Sequence, residues 1–268
     1  SSAQDYMNWR GSPMRLKNVF DAVDALAPFR LSKEYCETYN FHDNSGVLVD
    51  CGEEVRGVLC SLDLSRRAVE EARRTGANVI VTHHPAIFYP VSCLKAEDAV
   101  LMCARAGISV ISAHLNLDSA PGGIDEELML GLGGSSCSVM HQLSDGGYGR
   151  AFEVPEEPLA DFAARLKARF CTERIVVYGE RPVRKVASFC GAGLDESTVA
   201  YALSRGADTV VTADGKHHLI AALVEADVNV VLMTHYACEQ YGFVRFAENL
   251  KEKIKGTPVH VFTDDRLM

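Results

Sequence analysis

The feature that most constrains the fold is an alternation of short apolar runs with stretches of helical periodicity. The predicted strands are residues 58–62, 77–82 and 108–113, and the helices between them are residues 65–75 and 96–106. Asp63 and Ser65 can both cap the first helix, and Gly76 is typical of a helix end. Strands that alternate with helices predict a parallel sheet covered by helices and joined by right-handed crossovers.

The second half of the chain repeats this order. Its predicted strands are residues 186–190, 209–212 and 228–233, with one helix ending at Gly206 and another at residues 217–226. Both halves also end on an H-x-x-x-[DE] pattern, which is His114 with Asp118 and then His235 with Glu239. The sequence therefore predicts an α/β fold of two similar lobes that derive from an internal pseudo-repeat.

The predicted lobes span residues 14–130 and residues 131–268. No linker is long or polar enough to separate independent domains, so we expect close contact, and the carboxy-terminal segment can pack back on the first lobe. Residues 1–13 are polar and lack the apolar stretch of a signal peptide. We expect them to be a leader or an added tail, with Met14 as the natural start.

Charge and cysteine content narrow the class of protein. The chain has 27 Lys and Arg against 36 Asp and Glu, a net charge of −9. Because it lacks a basic block, neither nucleic acid nor an anionic membrane is an expected partner. No apolar run approaches the ~20 residues of a membrane span. The nine cysteines are scattered without a C-x-x-C pair, which favours reduced thiols and a cytoplasmic location.

The sharpest local signal is Thr82-His83-His84-Pro85, where a predicted buried strand ends. The carboxyl ends of parallel strands are where α/β sheets bind ligands, and neutral imidazole suits zinc, iron and manganese. For a histidine pair alone, one ring packed in the core and the other in solvent is the favoured explanation.

Two further strand ends carry compatible side chains. Asp118 follows one of them, and His235 and Glu239 share a face if the chain turns helical after Thr234. The candidate metal ligands are therefore His83, His84, Asp118, His235 and Glu239. Five donors are too many for one tetrahedral zinc, but they fit two ions ~3.5–4 Å apart, bridged by a carboxylate and a water. Glu239 is the expected bridge; unrelated polar residues are the alternative.

Other polar residues have open assignments. His114, one turn from Asp118, is a candidate to orient that ligand or to carry a proton. Asp214 stands where the first half has its histidine pair. In one interpretation, Asp214 and either His217 or His218 approach the metal site or bind the substrate. In the other, Asp214 is a helix N-cap that precedes two surface histidines. Cys190-Gly-Ala-Gly193 either admits a phosphate or forms a tight turn. Serine-hydrolase, P-loop, dinucleotide-binding and H-E-x-x-H motifs are absent from the sequence.

From about Met14, nearly the whole chain resembles the Nif-three-like family, also called the GTP cyclohydrolase 1 type 2 family. The stretches that carry the resemblance are D-N-S-G at 43–46, V-T-H-H-P-A-I-F at 81–88, S-A-H-L-N-L-D at 112–118, G-Y-G-R at 147–150, G-A-G at 191–193 and T-H-Y-A-C-E at 234–239. The length is similar to the short form, without an inserted middle domain. His42, Asp125 and Ala213 depart from the family's usual Trp, Asn and Gly.

The resemblance implies two α/β lobes with a dinuclear metal site in the cleft between them. It implies the same five ligands, zinc, iron or manganese as two divalent ions per chain, and a toroidal homohexamer. The function it implies is a metal-dependent hydrolase of the GTP cyclohydrolase type, or of another nucleotide or phosphoester, that uses a metal-bridged hydroxide. No guanine-reading motif is present. The alternative is a non-catalytic, metal-binding, ring-forming adaptor or regulator.

Overall fold

The computed structural model describes residues 12–268, and its contacts divide the chain into two units. The first unit comprises residues up to Leu26, Asn44–His114 and Ala247–Phe262. The second comprises Ala27–Asp43, Leu115–Phe246 and Thr263–Met268. Each unit thus draws on three segments of the chain, whereas the sequence pattern predicts one boundary near residue 130. Most of the predicted leader, residues 1–11, lies outside the described residues.

The first unit holds a five-stranded sheet. Its strands are β1 (Gly46–Val49), β2 (Val58–Ser61), β3 (Val79–Thr82), β4 (Ser109–Ser112) and β11 (Val259–Phe262), and its helices are α1 (Leu16–Leu26), α3 (Arg66–Thr75) and α4 (Ala99–Ala106). The strand order is β1-β4-β3-β2-β11, and only β1 is antiparallel to its neighbour. The carboxy-terminal strand β11 therefore completes the sheet of the first unit.

Every residue of β2, β3 and β4 is buried, as expected for parallel strands covered on both faces. One helix-side cluster includes Leu59 and Ile80 from the sheet and Val69 from α3. Ser65 caps α3, because its hydroxyl accepts a hydrogen bond from the backbone N–H of Ala68 at 3.1 Å. Of the two candidate caps, Asp63 is thus left available for another contact.

The second unit holds a six-stranded sheet. Its strands are β5 (Cys137–Gln142), β6 (Gly147–Glu157), β7 (Ile175–Tyr178), β8 (Val183–Ser188), β9 (Thr209–Thr212) and β10 (Asn229–Met233). Its helices are α2 (Phe29–Tyr39), α5 (Leu115–Ser119), α6 (Ile124–Gly131), α7 (Leu159–Arg169), α8 (Glu196–Ser204), α9 (His217–Glu225) and the first turns of α10 (His235–Lys253), with a 3₁₀ turn at Asp265–Leu267. The strand order is β5-β6-β8-β9-β10-β7, in which only β8, β9 and β10 are mutually parallel.

The predicted repeat is present in both sheets. The first unit contains β2-α3-β3-α4-β4 and the second contains β8-α8-β9-α9-β10, each with its three strands parallel and adjacent in chain order. This confirms the expected mixed α/β fold with two sheets. Within the described part of the chain, no helix has both the length and the apolar character needed to cross a membrane.

Candidate metal centre

His83 and His84 follow β3 in the first unit, and the structure fixes the tautomer of the first. His83 is fully buried, and its Nδ1 lies 2.8 Å from the carbonyl oxygen of Ala113. Because a carbonyl oxygen can only accept a hydrogen bond, Nδ1 carries the proton. The lone pair on Nε2 is therefore the one that His83 can offer to a metal ion.

His84 is held in the same way by a carboxylate. Its Nδ1 lies 2.5 Å from Oδ1 of Asp63, which follows β2. The two neighbouring rings lie with their centroids 4.9 Å apart, and the ring of His114 lies 5.3 Å from that of His83. Three imidazoles are thus grouped at the carboxyl end of the parallel strands of the first unit, as the strand-end argument predicts.

In the second unit, His235 and Glu239 occupy the first turns of α10. His235 Nε2 lies 2.6 Å from Glu239 Oε1, and His235 Nδ1 lies 2.6 Å from Asp214 Oδ2. Burial alone would lower the pKa of His235, but the hydrogen bonds and charges of Glu239 and Asp214 raise it to about 9. The predicted i, i+4 pair is therefore formed.

Asp214 does not cap a helix, because the N-cap of α9 is Lys216. Of the two open assignments, its contact with His235 supports an approach to the candidate site. His217 and His218 are exposed in the first turn of α9, and His218 lies 3.6 Å from Glu196. They correspond to the surface histidines of the other assignment.

Asp118 is buried on α5, and its Oδ1 lies 3.3 Å from the sulfur of Cys190. Asp118, Cys190 and Glu239 each offer one donor atom, and the three atoms lie within 4.8 Å of one another. All three side chains are buried. This group is able to hold a metal ion, and Cys190 is the member that sequence reasoning missed. The sequence did offer one indication of this role: Cys190 lies just past the end of β8, as His83 lies just past the end of β3.

Asp125, a departure from the family pattern, is fully buried behind this group. Its Oδ2 accepts hydrogen bonds from the backbone N–H of Gly149 at 2.8 Å and from Arg150, and its Oδ1 accepts from the backbone N–H of Cys190 at 3.1 Å. Burial raises the pKa of Asp125 to about 6, and the positive charge of Arg150 offsets only part of that effect. Asp125 therefore links β6 to the turn that follows β8.

That turn brings backbone directly against two predicted ligands. Gly191 has φ +68°, and a Cβ at this position would lie 3.1 Å from Glu239 Oε2 and 3.2 Å from His235 Nε2. Glycine is favoured here both by the left-handed conformation and by the short distances to these two side chains. Ala213, by contrast, is not among the described residues with positive φ, so its replacement of the family's Gly causes no strain.

Comparison with known proteins identifies the family. Residues 14–266 match the family described as Duf34/NIF3 (NGG1p interacting factor 3). The chain belongs to this family. A Clostridium perfringens protein named GTP cyclohydrolase 1 type 2 homolog is 26% identical over 252 residues, which are 90% of this chain and 93% of that protein.

Solved structures show the same fold. A Staphylococcus aureus hypothetical protein, SA1388, superposes with a TM-score of 0.81 at 26% identity, covering 94% of this chain and 97% of its own. A Bacillus cereus protein related to NIF3 also gives a TM-score of 0.81, at 20% identity, with coverage of 95% and 98%. The family resemblance and the fold predicted from the sequence are both confirmed.

The donor chemistry within each unit fits divalent metal ions. The first unit offers imidazoles whose Nδ1 atoms are held by oxygen, and the second offers buried carboxylates with an anchored imidazole. Imidazole and carboxylate together suit zinc, iron and manganese. The three other histidines, His42, His141 and His260, lie outside these groups; His141 stacks on Tyr39 with ring centroids 4.1 Å apart.

Proposed function

We propose that this protein is a dinuclear divalent-metal-dependent hydrolase whose two ions are bound by His83, His84, Asp118, His235 and Glu239. The observation that carries the proposal is the anchoring of Nδ1 in all three histidines. The oxygen partners are the carbonyl of Ala113 for His83, Asp63 for His84 and Asp214 for His235. Histidine ligands almost always donate their second N–H to a carboxylate or a carbonyl, which orients the ring and makes it a better ligand.

The number of donors supports two ions. One tetrahedral ion takes four ligands, and a catalytic ion keeps one position open. Five donors exceed that number, and Glu239 has two carboxylate oxygens with which to bridge. When bound, a pair of ions lowers the pKa of a shared water and polarises the group under attack. Asp63 and Asp214 would orient the histidines, and His114, whose ring centroid lies 5.3 Å from that of His83, would hold or carry a proton.

A nucleotide or another phosphoester is the substrate class that we propose. The relatives named GTP cyclohydrolase 1 type 2 homolog support a nucleotide. The chain has a net charge of −9, so a phosphate-bearing substrate would rely on the bound ions for charge neutralisation.

The test combines metal analysis with turnover. Elemental analysis after incubation with zinc, manganese or iron should find about two ions per chain. The loaded protein should hydrolyse a member of a panel of nucleotides and phosphoesters. Glu239→Gln should abolish this turnover, whereas Glu248→Gln, the same change at an exposed position of α10, should not. A protein that takes up none of the three metals, or a panel with no turnover above the metal-free control, contradicts the proposal.

A second candidate is a metal-binding adaptor or regulator without catalysis that assembles as a homohexameric ring. The family description, NGG1p interacting factor 3, supports it because it names an interaction and no reaction. Light scattering should then give six times the chain mass of 29.2 kDa. A metal-loaded hexamer that turns over no substrate favours this candidate over the hydrolase.

A further inference from the structure

Cys190 lies among the predicted metal ligands of the second unit, although the proposed set of five does not include it. Its sulfur is 3.3 Å from Asp118 Oδ1, and it shares the 4.8 Å cluster with Glu239. The side chain is buried, at 3% exposure. A soft sulfur donor therefore lies beside two hard carboxylates in one enclosed place.

The backbone on both sides of this sulfur is held by hydrogen bonds. The N–H of Cys190 donates to Asp125 Oδ1 at 3.1 Å, and its carbonyl accepts from the hydroxyl of Tyr148 at 2.8 Å. Asp125 is in turn paired with the buried Arg150. Because both peptide groups are fixed, the Cα–Cβ bond of Cys190 has a set direction, as a preorganised ligand requires.

The distance between the Cys190 sulfur and the Asp118 oxygen agrees with two donors that bind the same ion. Metal–sulfur and metal–oxygen bonds of about 2.3 Å and about 2.0–2.2 Å at a tetrahedral angle place the two donor atoms about 3.5 Å apart. The observed sulfur–oxygen distance to Asp118 is 3.3 Å. The S–H can donate to only one carboxylate, which is Asp118, and Glu239, whose Oε1 contacts His235 Nε2 at 2.6 Å, is a second carboxylate within reach of the sulfur.

A buried hydroxyl without a hydrogen-bond partner in the described part of the chain stands two residues before Cys190. The Oγ of Ser188 is fully buried and has no hydrogen-bond partner among the described residues. Ser188 is the last residue of β8, and both of its neighbours, Ala187 and Phe189, pack in one hydrophobic cluster, so its side chain lies on the opposite side of the sheet. An unsatisfied buried hydroxyl is costly, so an ordered water on this side of the sheet would stabilise it.

We propose that Cys190 is a sixth protein ligand, which binds one of the two ions as a thiolate together with Asp118 and Glu239. The inference rests on the proposed metal-dependent function and adds a donor to its site. On binding, the S–H bond breaks, the proton leaves to solvent and a sulfur–metal bond forms, with no change of oxidation state. A thiolate donor favours zinc, cobalt or iron over manganese and magnesium at that position.

The test uses X-ray absorption and cobalt spectroscopy on the full chain. Zinc-loaded wild type should show a zinc–sulfur distance of about 2.3 Å beside the zinc–nitrogen and zinc–oxygen distances of about 2.0–2.2 Å. Cobalt-loaded wild type should show a sulfur-to-cobalt charge-transfer band in the near ultraviolet. Cys190→Ser should lose both signals and bind the ion at least about tenfold more weakly. Cys238→Ser is the matched control, because Cys238 is also buried and precedes Glu239 but is not in the donor group.

The outcomes separate the two proposals. Two bound ions without a sulfur signal overturn the role of Cys190 and leave the proposed hydrolase standing. A signal that persists in Cys190→Ser and vanishes in Cys238→Ser also overturns it. No bound metal in the wild type overturns both proposals. The absorption measurement on the wild type needs no variant, so it decides the question even if Cys190→Ser fails to fold.

Discussion

Gly191→Ala is the substitution that most directly tests the contact between the turn after β8 and the candidate ligands. A methyl group at this position would lie 3.1 Å from Glu239 Oε2 and 3.2 Å from His235 Nε2, where ordinary contacts begin at 3.4 Å. Glu239 must therefore move by about 0.3 Å and His235 by about 0.2 Å, which reaches or exceeds the ~0.2 Å tolerance of metal–ligand distances. We expect metal binding to weaken about 10–100-fold, as when a supporting residue of a metal site is lost.

The same substitution also carries a backbone cost, and a second glycine separates the two effects. Gly206 has φ +66°, against +68° for Gly191, but a Cβ there would meet nothing within 4 Å. A left-handed Ala costs about 1–2 kcal/mol at either position, which lowers Tm by about 2–8 °C in a chain of this size. Isothermal titration calorimetry with zinc, beside thermal unfolding of the metal-free proteins, measures both effects. If Gly191→Ala binds zinc as tightly as Gly206→Ala, the reasoning is refuted.

Three further substitutions test the groups behind the ligands. Asp214→Asn should weaken zinc binding, measured by titration calorimetry, about 10–100-fold, because His235 loses the carboxylate that orients it. Asp227→Asn, the same change at an exposed position, should leave the affinity for zinc unchanged. Arg150→Met should lower the free energy of unfolding by about 3–5 kcal/mol in urea titrations, because it leaves the Asp125 carboxylate buried without its cation; a loss below about 1 kcal/mol would contradict this. The pKa of Asp125 is raised to about 6 from an unfolded value of 3.8, so the folded protein binds the proton more tightly. Acidification from pH 6 to pH 4 should therefore raise the free energy of unfolding of the wild type relative to that of Asp125→Asn, as measured in urea titrations. If the difference between the two proteins does not change with pH, Asp125 does not titrate in this range.

Local patterns predicted the elements that carry the site. The buried strand β3 ends at Thr82, directly before His83 and His84, and α10 begins at His235. These positions follow from hydrophobic periodicity and helix spacing, which depend on near neighbours in the chain. Element boundaries that depend on weaker sequence signals differ between prediction and structure: the helix predicted to begin at residue 96 begins at Ala99.

The contacts missed from sequence join residues far apart in the chain. Cys190 meets Asp118 across 72 positions, and Asp125 meets the backbone of Cys190 across 65. No local pattern encodes such an approach, because it depends on how α5, α6 and β8 pack. Asp125 was recognised only as a departure from the family pattern, and its pairing with Arg150 required the structure.

The two repeats use one structural rule to orient different ligands. In a parallel sheet, neighbouring strands end at the same edge, so a carboxylate after one strand can reach a histidine after the next. Asp63 follows β2 and holds His84 after β3. Asp214 follows β9 and holds His235 after β10.

Divergence of the helix cap explains why the carboxylate differs between the repeats. In the second repeat, Asp195 caps α8 by accepting from the backbone N–H of Thr198 at 2.8 Å, so it is occupied. In the first repeat, Ser65 caps the helix instead, so Asp63, which is equivalent to Asp195, can form a hydrogen bond with His84. The position equivalent to the histidine pair then carries Asp214, which orients His235. The duplicated frame thereby presents histidines at the end of β3 in one copy and an orienting carboxylate at the end of β9 in the other, so the two copies no longer carry the same side chains at equivalent strand ends.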